Sequence, residues 1–73
     1  MRTNLQAARK AKGLTQEQMA EALGISPRQY QRIEAGTANG SFHHWDALED
    51  LLGIHQRILR EKQDIHPDQE ENR

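Results

Sequence analysis

Apolar residues recur three or four positions apart in short blocks: Leu5 and Ala8, then Met19, Ala20 and Leu23, then Tyr30 and Ile33, then Phe42, Trp45, Leu48 and Leu52. With about 3.6 residues per turn, that spacing puts each block on one stripe of a helix. Gly13, Gly24 and Gly36 follow the first three blocks, and glycine is the residue that ends a helix in the left-handed conformation at least cost. The pattern predicts an all-α fold, a compact bundle of four to five short helices.

The helix starts are equally legible. A first helix is expected from Asn4 to Lys12, with Arg9 and Lys10 in its last turn, where cations complement the helix dipole. Thr15 caps the second helix, and Gln18 stands three residues on as the partner of a capping box. Ser26 caps the third, Pro27 occupies its first helical position, and Gln29 completes a second box. Only Leu23 to Ser26 separate helices two and three, so Leu14 to Gly36 reads as two short helices crossing steeply about a tight turn, a helix-turn-helix. The fourth helix runs from Phe42 to Leu52, its apolar stripe closing the core, with Trp45 as an anchor. Beyond Gly53, a short fifth helix uses Ile54 in the core and leaves Ile58 and Leu59, which either fold back onto the domain or meet a second copy. One domain is expected over residues 1–62. The remainder, QDIHPDQEENR over residues 63–73, is polar, acidic and broken by proline, and is expected to be a disordered tail.

Composition narrows the function. Seventy-three residues with 34% hydrophobic content make one small domain whose core is about a dozen side chains. The chain has no cysteine, no apolar run able to span a bilayer and no signal-peptide pattern, which fits a cytoplasmic protein without disulfides. Its net charge of −1 is unevenly placed. Residues 1–34 carry +3 and residues 35–73 carry −4, so the half holding the helix-turn-helix is the basic one. Arg28 and Arg32 lie one turn apart on the side of helix three that faces away from Tyr30 and Ile33, with Gln31 and Gln29 on its two flanks. Tyr30 belongs to the core, its hydroxyl reaching the surface.

Ala20 in helix two, Gly24 and Ile25 in the turn, and Ile33-Glu34 followed by Gly36 together resemble the phage-repressor class of helix-turn-helix, the lambda and Cro-like or xenobiotic-response-element class. RKAKGLT (residues 9–15) resembles that family's first helix and its exit, and SFHHWDALEDLLGI (residues 41–54) its fourth helix, so the resemblance covers most of the chain. It implies binding to double-stranded DNA, with helix three in the major groove and Arg28 and Arg32 reading base edges beside Gln29 and Gln31. It implies that Gln16 contacts phosphate, and that Thr37, Asn39, Ser41 and, with them, His43 lie along the DNA backbone; an ordinary flexible loop is the alternative for Ala35 to Gly40. It also implies that Arg9 forms a structural ion pair with Glu34, the reading preferred here to a phosphate contact. One departure stands out. Many phage repressors begin helix three with a base-reading glutamine, and Pro27 offers no such group.

The function expected is that of a sequence-specific transcriptional regulator of bacterial or phage origin, a small repressor that binds a two-fold symmetric operator as a homodimer and occludes a promoter. The alternative is a protein-interaction module, an adaptor or anti-regulator built on the same fold. No enzyme is expected, since no nucleophile stands at motif spacing from a base and no glycine loop cradles phosphate. His43, His44, His55 and His66 have no zinc-site spacing, and neither a metal, a cofactor nor a small-molecule ligand is expected.

Overall fold

The structure, a computed structural model, describes residues 1–62, and the expected tail beyond Lys62 lies outside them. Five helices follow in order: α1 (Thr3–Ala11), α2 (Gln16–Leu23), α3 (Pro27–Ala35), α4 (Phe42–Leu52) and α5 (Gln56–Leu59). There is no strand among the described residues, and no helix is long and apolar enough to cross a membrane. The first helix begins and ends one residue earlier than its apolar pattern suggests.

Local chemistry sets the boundaries. Thr15 Oγ1 accepts from the Gln18 N–H at 3.1 Å while Gln18 Oε1 accepts from the Thr15 N–H at 2.8 Å, closing the capping box that begins α2. Gly24, at φ 73°, ends α2 in the left-handed region. Ser26 Oγ then accepts from the Gln29 N–H at 3.1 Å ahead of Pro27. The second box is only half made. Among the described residues no return bond runs from the Gln29 side chain to Ser26, so Gln29 stays available at the surface. A second complete box does form, at α4, where Ser41 Oγ accepts from the His44 N–H and His44 Nδ1 accepts from the Ser41 N–H, both at 3.3 Å.

The core is drawn from every helix. Leu5 and Ala8 of α1, Met19, Ala20 and Leu23 of α2, and Tyr30 and Ile33 of α3 are buried together with Trp45, Leu48 and Leu52 of α4. Two expectations need correction. Phe42 is 79% exposed instead of closing the core: it is the first residue of α4, where the stripe has run past the end of the bundle and none of the described helices covers it. Leu59, read as a possible dimer contact, is fully buried. The single turn of α5 packs on α1 and α4, which leaves its neighbour Ile58 as the exposed apolar residue.

Gly36 ends α3 at φ 88°, and a Cβ there would stand 3.2 Å from the Met1 backbone nitrogen. The positive φ opposes a side chain, and the Met1 backbone would have to give by a few tenths of an ångström. Gly36→Ala is expected to cost about 1–3 kcal/mol, visible as a lower urea midpoint with unchanged slope.

Candidate nucleic-acid interface

Helix α3 divides cleanly into two faces. Tyr30, Ile33 and Glu34 are buried, whereas Arg28, Gln29, Gln31 and Arg32 are exposed. Arg28, Gln29 and Arg32 share an open depression with Ser26 and Ala38, so the outward face of the helix and the loop after it form one concave surface. Gln31 is exposed outside that depression. The loop is fixed to the helix by the carbonyl of Arg32, which accepts from the Thr37 N–H at 3.0 Å, the Ala38 N–H at 3.2 Å and Thr37 Oγ1 at 3.3 Å.

The inward face of α3 ends in a buried charge. Arg9 Nε donates to Glu34 Oε2 at 2.8 Å as an ion pair, and Arg9 Nη2 reaches Oε1 at 3.4 Å. Gln16 Nε2 donates to Glu34 Oε1 at 2.8 Å and the Tyr30 hydroxyl donates to Oε2 at 2.8 Å. Tyr30 is therefore core throughout: its hydroxyl turns inward to Glu34 and does not reach the surface as the sequence suggested. Burial would raise the Glu34 pKa, but the hydrogen bonds from Arg9, Gln16 and Tyr30 and the Arg9 charge outweigh it and hold the carboxylate below its ordinary range. Burial, followed by the bond to Glu34 and its charge, pushes the Tyr30 hydroxyl well above its ordinary range. The bond to Glu34 raises Arg9, and burial only partly opposes it.

This network bears on Gln16. Its amide nitrogen already donates one hydrogen inward, which fixes the side chain at the start of α2 with its second N–H left for another acceptor. Gln16 thus joins helices α2 and α3 instead of standing as a free surface polar group. Along the loop, Asn39 has its carbonyl occupied by the Trp45 Nε1–H at 2.7 Å and its residue exposed. Ser41 serves as the α4 cap, its hydroxyl proton still free to donate, and His43 is exposed in the first turn. Thr37, Asn39, Ser41 and His43 therefore follow one another along the chain as exposed groups from the end of α3 to the start of α4.

Arg2 is the residue the sequence did not reveal. It is 3% exposed, yet no carboxylate among the described residues bonds it. Its guanidinium donates to the carbonyls of Arg60 at 3.1 Å, Ala38 at 2.9 Å and Ile33, and lies 5.1 Å from the Trp45 ring centroid. Burial first, and the Arg60 charge second, lower its pKa. A basic residue just ahead of a helix carries no sequence signal for such a role; the only hint is an aromatic ring elsewhere able to accept a cation.

No group of three or more metal-ligating side chains occurs among the described residues. A family model described as Helix-turn-helix matches residues 5–59. No curated protein and no solved structure matches the chain significantly.

Proposed function

Because the chain belongs to the Cro/C1-type helix-turn-helix family of DNA-binding domains, we propose that it is a sequence-specific transcriptional regulator, a repressor that occludes a promoter by binding an operator through α3. The observation that carries this reading is the exposed face of α3, where Arg28, Gln29 and Arg32 line one depression and none of them is committed to the core. Arginine donates a bidentate pair to guanine and glutamine to adenine, so this face has the chemistry of major-groove readout, with Gln31 at its flank. Pro27 at the start of the helix moves the reading one residue inward, to Arg28. Gln16, Thr37, Asn39, Ser41 and His43 would position the domain on phosphates. A homodimer on a two-fold symmetric site fits the family's mode of binding, and Ile58 is the exposed apolar residue on α5 that such a contact would use.

Selection from a random duplex pool near physiological salt tests the reading. An enriched inverted repeat is expected. Arg28→Ala should cost about 1–3 kcal/mol on the enriched site and relax preference at one base position, whereas equal loss on every sequence would reduce Arg28 to a phosphate contact. A flat pool with folded protein would overturn sequence-specific binding. One observation favours a protein partner instead, the exposure of Phe42. Docking through an apolar residue would hold or tighten as salt rises, opposite to binding through phosphates.

A further inference from the structure

The acidic half of the chain hides a basic edge. Among the described residues, Asp46, Glu49 and Asp50 stand apart from Arg57, Arg60 and Lys62. On one side Gln56 Nε2 donates to Asp46 at 2.7 Å and to Glu49 at 3.1 Å, and Asp50 borders a shallow hollow with Ala22 and Leu51. On the other, Arg57, Arg60 and Lys62 line an open depression with Arg2 and Asn39. Glu61 is the one carboxylate among the described residues at that depression, and it accepts from Asn4 Nδ2 at 2.9 Å. Among the described residues, no acidic group lies within ion-pair distance of Arg57, Arg60 or Lys62.

The position of this edge gives it meaning. Asn39, Arg2 and Arg60 also border the neighbouring depression, whose other walls are Gly40, Ser41, Phe42 and Trp45. The two hollows therefore form one track from the start of α4, past the loop, to the end of α5. Lys62 reaches back toward the end of α3, its Cδ standing 3.7 Å from where a Gly36 Cβ would be. Arg60 lies close enough to Arg2 that its charge lowers the Arg2 pKa. Packing alone gains nothing from such crowding of like charges, which an anion would relieve.

We propose that Arg57, Arg60 and Lys62 form a second phosphate-binding edge, which takes the DNA backbone where it continues past the loop at Asn39. The proposal rests on the DNA-binding reading above and adds to it a contact outside the helix-turn-helix. The track is continuous with the loop that reading already places on phosphates, and the three side chains are exposed with no ion-pair partner among the described residues. They carry no sequence information and would add affinity on every duplex alike.

The test uses the full chain with Arg57→Gln, Arg60→Gln and Lys62→Gln combined. All three side chains are exposed, and the bond from Arg2 goes to the Arg60 carbonyl, which the substitution keeps; a thermal melt confirms folding. On a mixed-sequence duplex of about three helical turns, the slope of log K against log salt should become shallower by about 2.7, for three phosphates released at about 0.9 each. Affinity near physiological salt should fall at least about tenfold. On the enriched site, phosphate ethylation interference should lose one discrete group of phosphates and keep those beside α3. An unchanged slope in the triple variant, while Arg28→Ala still weakens the enriched site, would overturn the edge and leave the regulator reading intact. A weaker affinity with every interfering phosphate retained would also overturn it, as the effect of net charge alone. Wild-type protein that binds no duplex would overturn both readings.

Discussion

Glu34→Ala should remove about 3–5 kcal/mol of stability, the largest loss expected of any single substitution here. One carboxylate holds four donated hydrogen bonds, two from Arg9 and one each from Gln16 and Tyr30. Without it, the Tyr30 phenol stays buried with no acceptor and the Arg9 guanidinium keeps only the Leu14 carbonyl, at 2.8 Å, and an unpaired buried charge is far more costly than the intact pair is beneficial. A domain of this size has stability near the low end of the usual range, about 5 kcal/mol, so the variant should be largely unfolded at 37 °C. Tyr30→Phe separates the charge from the network. It keeps the ring in the core and removes one donor to a carboxylate, for an expected loss of about 1.5–3 kcal/mol. The same network sets the pH limits. Because the folded-state pKa of Glu34 is depressed, its contribution is complete above the unfolded-state value near about 4.3 and is lost as pH falls through the folded one. Tyr30 is raised, so its contribution is complete below about 10 and is lost as pH climbs beyond that. Urea midpoints measured across pH should fall at both ends for the wild type. In Tyr30→Phe the alkaline fall should flatten; a fall of unchanged steepness would remove Tyr30 as its source.

What the sequence made legible is what depends on neighbours along the chain. Thr15 with Gln18, Ser26 with Pro27, and Gly24 act within three or four residues of one another, and all of them cap or end helices as their types predict. Stripes worked where another helix packs against them, as at Tyr30 and Ile33. They failed at Phe42, because a period says which way a residue faces but not whether the bundle extends that far. Ile58 and Leu59 are adjacent and chemically alike, and only the docking of a one-turn helix onto α1 and α4 decides that Leu59 is buried and Ile58 is not. The approach of Arg9 to Glu34 was available only through family resemblance, since 25 residues separate them and nothing local couples them. At the interface, the outward direction of Arg28 and Arg32 follows from helical period alone. The inward bond of Gln16 does not, because it needs the α2 and α3 ends brought together first.

Arg2→Ala should be the second most damaging substitution, at about 2–4 kcal/mol, although the residue stands ahead of the first helix and outside the matched family segment. Its three acceptors are 31, 36 and 58 residues away in sequence, so one side chain joins the end of α3, the loop after it and the end of α5. Its truncation leaves the carbonyls of Ile33, Ala38 and Arg60 without this donor and takes the cation from the Trp45 ring. Arg2→Lys separates charge from geometry. An ammonium can sit over the ring but cannot span three carbonyls with a planar fork, so most of the loss should persist. The consequence reaches the interface, since Ala38 borders the depression on α3 and Asn39 follows it. At a temperature where Arg2→Lys remains folded, amide exchange should quicken over residues 37–41 while Tyr30 and Arg32 keep their protection in α3. If exchange quickened evenly through the whole domain, Arg2 would contribute to global stability only, and the loop would owe its position to the Arg32 carbonyl and the Trp45 bond to Asn39.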